Sequence, residues 1–149
     1  MKECCIYLSG GMGKFGKENF EESNKWRIYC ENTLNSFNES FDSNYKANVI
    51  NPNFYFNFLD EPPRYKSEME VMKFDIWKLV NSNLVICNFN DPTSLGTMSE
   101  IAIAYDRRIP VIGLNEQGSE LHPWQICMCT RIFDDIDEML DYVEDFYLT

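Results

Sequence analysis

The sequence predicts an α/β protein, a single-domain three-layer α/β/α sandwich built around a parallel sheet of about five strands. Apolar runs of strand length alternate along the chain with amphipathic segments of helix length, which is the pattern of β-α units. With 149 residues, 44% of them hydrophobic, the chain can bury one sizeable core but is short for two ordinary domains. We therefore expect residues 1–149 to form one domain.

The first half of the chain begins with a short apolar strand. CCIYL, residues 4–8, leads into the glycine-rich turn SGGMGKFG, and residues 17–37 carry apolar side chains near helical spacing. A second strand, ANVINP, stops at Pro52. The segment that follows is rich in Asn, Pro and aromatic residues, so we expect a loop over the sheet there.

The second half repeats the alternation. Residues 67–81 begin with a capping box formed by Ser67 and Glu70, which predicts a helix. NLVICNF, residues 83–89, has the continuous apolar character of a central parallel strand. The remaining elements are the helix MSEIAIAYDRR, the strand IPVIGL, the short apolar piece TRIF and an acidic terminal helix from about Asp135.

Composition excludes several classes of function. A formal charge of −11 argues against a nucleic acid polymer or an anionic membrane surface as partner. No apolar run approaches the ~18 residues of a membrane span. Six cysteines without a CxxC pair, and a single His, favour neither a disulfide framework nor a metal site. We expect a cytoplasmic protein with reduced thiols.

The parallel sheet predicts where a ligand binds. In an open sheet of this flavodoxin- or Rossmann-like kind, ligands lie beyond the carboxyl ends of the strands. The loops at residues 9–16, 51–65 and 90–97 should therefore border one crevice. The first loop, with Ser9, Gly10 and Gly11, could cradle a phosphate, but it matches neither G-x-G-x-x-G nor the P-loop, and a plain chain turn explains it equally.

Two acidic residues stand out near this crevice. Glu100 follows Thr97 at capping-box spacing, so its carboxylate would satisfy only a backbone N–H in the first helical turn. Its place after the most apolar strand favours a second interpretation, a carboxylate that stays ionised near a helix N-terminus and acts as a nucleophile. Asp75 lies among apolar residues in KFDIW, where it is either a buried acid or a solvent-facing helix position.

These residues together resemble a known family. Tyr7 with SGGM, then NKWR, and then FDIWKLVNSNLVICNFNDPTSLGTMSEIAIAYDRRIPVIGL are similar to the nucleoside 2-deoxyribosyltransferase superfamily, which includes the deoxynucleoside 5′-monophosphate N-glycosidases. The resemblance covers about residues 4–114. Its most specific part is S-x-G-T-x-x-E, with an Asp eight residues before the Asn-Leu-Val-Ile strand.

The resemblance implies a retaining attack on C1′ of a deoxyribose. Glu100 matches the family nucleophile that forms a glycosyl ester, and Asp75 matches the acid that assists departure of the base. Tyr7 matches a tyrosine that orients the carboxylate. Residues matching the family's substrate-binding positions are Ser9, Gly10, Gly11, Ser94, Gly96 and Thr97. The resemblance also implies a homodimer or larger homo-oligomer, small-molecule nucleoside or nucleotide and nucleobase partners, and no metal or organic cofactor.

Ser94 leaves the substrate class open. Family transferases tend to carry an Asp at this position that holds a 5′-hydroxyl, whereas the hydrolases carry a Ser that meets a 5′-phosphate. Ser94 with Gly10, Gly11 and Lys14 suits an anion, but the first loop lacks the Arg-rich character of the hydrolases. Base exchange on deoxynucleosides, hydrolysis of deoxynucleoside monophosphates and a non-catalytic nucleotide-binding module therefore all remain open.

Overall fold

The computed structural model describes residues 1–12, 17–57 and 59–149, with side chains in the first helix described from Phe20 onward. It contains a five-stranded sheet of order β2-β1-β3-β4-β5, in which every neighbouring pair is parallel. The prediction of an α/β sandwich with a parallel sheet is confirmed. The strands are β1 (Lys2–Gly10), β2 (Tyr45–Ile50), β3 (Leu84–Asn88), β4 (Val111–Leu114) and β5 (Arg131–Phe133).

Helices cover both faces of the sheet. One hydrophobic core joins the sheet to α1 and α6, and a second core joins it to α3, α4 and α5. None of the described helices has the length and apolar character needed to cross a membrane. The helices are α1 (Lys17–Phe37), α2 (Pro52–Tyr55), α3 (Glu68–Val80), α4 (Leu95–Asp106), α5 (Pro123–Met128) and α6 (Ile136–Val143), followed by a π-helical turn (Glu144–Leu148).

Alternation along β1 decides which side chains reach which core. Ile6 and Leu8 point into the core of α1 and α6, whereas Tyr7 points into the core of α3 and α4. Because successive side chains of a strand point to opposite faces, Ser9 lies on the same face as Tyr7. The end of β1 therefore presents a phenol and a hydroxyl to the two helices that carry the candidate acids.

The strand order reverses between β1 and β3. The chain goes outward from β1 to the edge strand β2 and then returns to β3 on the other side of β1. A crevice forms at such a point because the loops leaving the two central strands run to opposite faces of the sheet. The predicted ligand site therefore falls beyond Gly10 and Asn88, which are paired in the sheet register.

Two short helices lie between the longer elements, and the first replaces part of the predicted loop after β2. In α2 the Asn51 side chain accepts a hydrogen bond from the Asn53 N–H, and Pro52 takes the first helical position. In α5 the His122 side chain caps the helix and Pro123 follows it. The expectation of a loop after β2 was wrong at α2, because Pro52, which ends the strand, also suits the first turn of a helix, where its missing N–H has no partner to lose.

Candidate active site

Four predicted site residues meet at the carboxyl edge of the sheet. Tyr7 and Ser9 come from β1, Asp75 comes from α3 and Glu100 comes from α4. The Ser9 Oγ donates a hydrogen bond of 3.2 Å to Glu100 Oε1. Tyr7 is 1% exposed, and the charges of Glu100 and Asp75 both raise its pKa. The side chains of Tyr7, Asp75 and Glu100 are therefore close enough to interact electrostatically.

This neighbourhood contains polar atoms without partners. The Tyr7 hydroxyl, Asp75 Oδ1 and Glu100 Oε2 are enclosed, and none has a partner in good hydrogen-bond geometry within the part of the chain that the structure describes, although the Tyr7 hydroxyl is near enough to Glu100 to lower the pKa of that carboxyl group. An enclosed polar atom without a partner costs about 1–3 kcal/mol. Three such atoms in one place indicate a site at which a bound molecule supplies the missing hydrogen bonds.

Burial changes the acid strength of both carboxyl groups. Burial raises the pKa of Glu100 to about 7, against the opposing effects of the Tyr7 hydroxyl, the Arg27 charge and the Ser9 hydrogen bond. Burial, and then the Glu100 charge, raise the pKa of Asp75 to about 7. Near neutral pH, therefore, one of the two acids can keep its proton while the other is ionised. The expectation that Glu100 stays ionised remains a prediction, because burial opposes the effect of the helix N-terminus.

The start of α4 differs from the predicted capping box. Ser94 is the N-cap, and its Oγ accepts hydrogen bonds from the Thr97 N–H at 3.3 Å and from the Thr97 hydroxyl at 3.0 Å. Glu100 consequently lies in the second helical turn and bonds to Ser9 rather than to a backbone N–H of its own helix. The capping-box interpretation of Thr97 and Glu100 was wrong, and the carboxylate remains available for chemistry.

The predicted substrate-binding positions on α4 differ in accessibility. Ser94 is half-buried and Gly96 is exposed, with no atom within 4 Å of the place a Cβ would take. Thr97 is 3% exposed, and its hydroxyl already donates to Ser94. Ser94 and Gly96 are therefore more accessible than Thr97, whose hydroxyl is already bonded to Ser94.

Gly10 and Gly11 allow close packing at the strand end. A Cβ on Gly10 would lie 2.9 Å from Cζ2 of Trp26, and a Cβ on Gly11 would lie 2.9 Å from Cβ of Asp91. The Gly11 N–H donates to Asn90 Oδ1 at 2.9 Å, and Asn90 Nδ2 donates back to the Gly11 carbonyl at 3.1 Å. The Gly11 amide is thus occupied by Asn90 rather than open to an anion.

The predicted anion pocket includes a lysine of the first loop. Lys14, and with it residues 13–16 of the first loop, lies outside the described residues. Asn90 is a residue that sequence reasoning missed, since an Asn after a strand is common in turns and nothing in the sequence pairs it with Gly11. It ties the loop after β3 to the loop after β1.

Arg27 is a second residue that sequence reasoning missed. It is 1% exposed, and its Nη1 and Nη2 donate to the carbonyls of Ser23 and Gly10, each at 2.8 Å. A signal was present, because Ser23, Arg27 and Cys30 follow one another at helical spacing on the face of α1 that packs on the sheet. Among the described residues, no group of three His, Cys, Asp or Glu side chains is placed to hold a metal ion.

Comparisons with known proteins bear on the fold. No protein-family model and no curated protein sequence matches the chain. A 2-deoxyribosyltransferase from Bacillus psychrosaccharolyticus superposes with a TM-score of 0.69 at 16% identity, over 93% of this chain and 92% of the other. A CMP N-glycosidase from Clostridium botulinum superposes with a TM-score of 0.56 at 20% identity, over 97% and 99%.

A third solved structure gives the same result. A conserved protein from Enterococcus faecalis superposes with a TM-score of 0.74 at 16% identity, over 96% of this chain and 98% of the other. At these identities the comparisons show a shared fold that extends over nearly the whole chain. It agrees with the α/β sandwich that the alternation of strands and helices in the sequence predicted.

Proposed function

We propose that this protein cleaves the N-glycosidic bond of a 2′-deoxynucleoside and transfers the deoxyribosyl group to a second base. The observation that carries the proposal is the meeting of Glu100, Asp75, Tyr7 and Ser9 at the strand-order reversal, with three enclosed polar atoms left unpaired. The fold shared with a 2-deoxyribosyltransferase and a CMP N-glycosidase supports it, since both names describe chemistry on nucleosides or nucleotides.

The two acids take different roles in the first step. Ser9 holds Oε1 of Glu100, so the unpaired Oε2 is the oxygen that attacks C1′. The C1′–N bond breaks, the base leaves with the electron pair, and the Asp75 carboxyl group donates its proton to that base. The products are a free base and a deoxyribosyl ester of Glu100.

The second step reverses the first. A nitrogen of the acceptor base attacks C1′, the ester bond to Glu100 breaks, and the proton of the acceptor returns to Asp75. Two inversions at C1′ give overall retention. Burial and the charges of Glu100 and Asp75 raise the pKa of Tyr7 well above its ordinary value, so its hydroxyl stays protonated and can donate to the carboxylate or to the sugar.

A second candidate is hydrolysis of deoxynucleoside 5′-monophosphates, with water in place of the acceptor base. The start of α4 favours it, because Ser94 is only half-buried and the unobstructed Gly96 leaves room for a phosphate at a helix N-terminus. A non-catalytic nucleotide-binding module is the third candidate. Such a module has no turnover, and its affinity for the nucleotide should stay nearly unchanged when Glu100 is replaced. Either enzyme should lose its activity on the same replacement.

Product analysis separates these candidates. The protein is incubated with each of the four deoxynucleosides and four deoxynucleoside monophosphates, with and without a second free base, and the products are separated by chromatography. A new nucleoside that forms only when the acceptor base is present supports transfer. Free base released from monophosphates alone supports hydrolysis. Acid quench and intact mass analysis should reveal a deoxyribosyl adduct, which peptide mapping should locate at Glu100.

The matched variants are Glu100→Gln and Glu138→Gln, the latter on the exposed side of α6. We expect the first to abolish product and adduct and the second to leave both unchanged. Turnover that persists in Glu100→Gln would refute the proposed nucleophile. If the unaltered protein binds nucleotides but shows no turnover, and Glu100→Gln binds them equally well, the binding module is favoured.

The proposal includes a homodimer or larger homo-oligomer working in the cytoplasm. The exposed apolar side chains Met72 and Trp77 of α3 and Trp124 of α5 lie on helices that cover one face of the sheet, and burying them between subunits would be favourable. Light scattering of the purified protein measures the assembly size.

A further inference from the structure

A guanidinium group lies buried behind the candidate active site, at the carboxyl end of β1. Both described hydrogen bonds of Arg27 go to neutral carbonyl groups, those of Ser23 and Gly10, and its Nε has no partner among the described residues. Burying a cation without a carboxylate partner is costly unless another charge in the neighbourhood compensates it. The compensating charge has to come from nearby elements.

A short chain of contacts links Arg27 to Glu100. Arg27 donates to the carbonyl of Gly10, the preceding residue is Ser9, and the Ser9 hydroxyl donates to Glu100. The absence of a side chain at Gly10 matters, because a Cβ there would lie 2.9 Å from the ring of Trp26, the neighbour of Arg27 on α1. The strand end and α1 therefore pack closely, and from this position the Arg27 charge lowers the pKa of Glu100.

Few of the groups around Arg27 can carry a negative charge. Burial raises the pKa of Cys30 to about 12 and raises the pKa values of Cys87 and Tyr7 well above their ordinary values, so all three stay neutral at pH 7. The two carboxyl groups remain. The ionisable groups that face the guanidinium are Tyr7 of β1, Cys30 of α1, Asp75 of α3, Cys87 of β3 and Glu100 of α4.

The Arg27 charge lowers the pKa of both carboxyl groups, so hydrogen bonding has to distinguish them. Glu100 accepts the Ser9 hydrogen bond, which stabilises its ionised form, whereas the enclosed Oδ1 of Asp75 has no described partner. A negative charge on Glu100 in turn disfavours a second negative charge on Asp75. One fixed positive charge therefore compensates one carboxylate, and the remaining acid keeps its proton.

We propose that Arg27 is a positioning residue that assigns the roles of the two acids: it holds Glu100 as the carboxylate while Asp75 carries the proton. This charge assignment would give the enzyme a nucleophile and an acid at the same pH, and that consequence for catalysis rests on the proposed function. The charge assignment itself concerns the free protein and needs no substrate.

Two substitutions separate charge from hydrogen bonding. Arg27→Gln keeps an amide N–H for the Gly10 carbonyl but removes the charge, whereas Arg27→Lys keeps the charge. We expect the acid limb of the pH profile of kcat/KM to move up by about 1 unit in Arg27→Gln, which is a tenfold loss on that limb. Arg27→Lys should move it by only a few tenths. Arg131→Gln, which removes an exposed Arg on β5, should not move it.

A measurement on the unaltered protein does not depend on how these variants fold. The side-chain carboxyl carbons of Glu and Asp are labelled with ¹³C and followed by NMR from pH 4 to 9, with Glu100→Gln and Asp75→Asn for assignment. We expect Glu100 to ionise at a lower pH than Asp75. Ionisation of Asp75 first, or equal acid-limb shifts in Arg27→Gln and Arg27→Lys, would overturn the inference.

The same data distinguish this inference from the proposed function. A protein without glycosidic turnover in which Glu100 still ionises first would refute the function and leave the charge assignment intact. An active enzyme in which Asp75 ionises first would keep the function and remove Arg27 from this role.

Discussion

Ser9 on β1 and Glu100 on α4, which are 91 residues apart in the sequence, are joined by a hydrogen bond of 3.2 Å between Oγ and Oε1. The bond holds one carboxylate oxygen against the end of a central strand. The other oxygen, Oε2, is enclosed and has no described partner. Oε1 therefore orients the carboxylate, and Oε2 is left for the attack that we propose.

Removing the Ser9 hydroxyl should therefore weaken catalysis more than folding. Ser9→Ala loses a hydrogen bond to a charged group, worth about 1.5–3 kcal/mol, so we expect kcat/KM to fall by roughly 10- to 100-fold. Steady-state kinetics and urea unfolding measure the two effects. Ser99→Ala, which removes an exposed hydroxyl bonded to the Leu95 carbonyl of the same helix, is the control. Equal losses of activity in both variants would contradict the prediction.

Glu100 should make the folded protein less stable as pH rises. Its pKa is about 7 in the folded state against an ordinary value of 4.5, so the folded protein binds more protons than the unfolded chain between these values. The free energy of unfolding then falls as pH increases through that window. Between pH 4.5 and 8, Glu100→Gln should gain about 1–3 kcal/mol relative to the unaltered protein.

Urea unfolding at the two pH values tests this difference. Glu138→Gln, whose side chain is exposed, should follow the unaltered protein at both. The prediction fails if Glu100→Gln shows the same loss of stability with rising pH as the unaltered protein.

Asp75 should matter most when the departing base needs a proton. Asp75→Asn cannot donate one as an acid, so we expect kcat to fall by about 10²- to 10³-fold and its decline at high pH to disappear. A nucleoside whose base leaves easily without protonation should lose much less. Kinetics on two such nucleosides, with exposed Asp106→Asn as control, measure the difference. A loss of the same size for both nucleosides would point to a structural role instead.

Two glycines at the site should respond oppositely to the same substitution. Gly10→Ala places a methyl group 2.9 Å from the Trp26 ring and 3.2 Å from the Asn88 carbonyl, which should cost about 1–3 kcal/mol of stability. Gly96→Ala meets no atom within 4 Å and improves the helix propensity of α4, so stability should stay equal or rise by up to about 1 kcal/mol. Thermal unfolding compares them, and equal destabilisation would show that the strand end is not closely packed.

Gly96→Ala also reports on the substrate. If a phosphate lies against the open start of α4, the added methyl group should raise KM for deoxynucleoside monophosphates and leave KM for deoxynucleosides nearly unchanged. Equal KM changes for both classes would argue against a phosphate at this position.

The sequence by itself determined the order of elements, the parallel sheet and the edge at which a site forms. Each of these follows from hydrophobic periodicity and turn residues within a few positions, and such patterns are local. Glu100 and Asp75 could be singled out in the same way, because an acid inside an apolar segment is visible in the sequence alone.

Only the tertiary structure decided what those residues do. The partnership of Ser9 with Glu100, the burial of Arg27 and the occupation of the Gly11 amide by Asn90 join elements that are distant in the sequence. The N-cap at Ser94 rather than Thr97 places Glu100 in the second turn of α4. The pKa values of the two acids depend on how completely the folded chain removes water, a property that is summed over every packed element and that no local pattern carries.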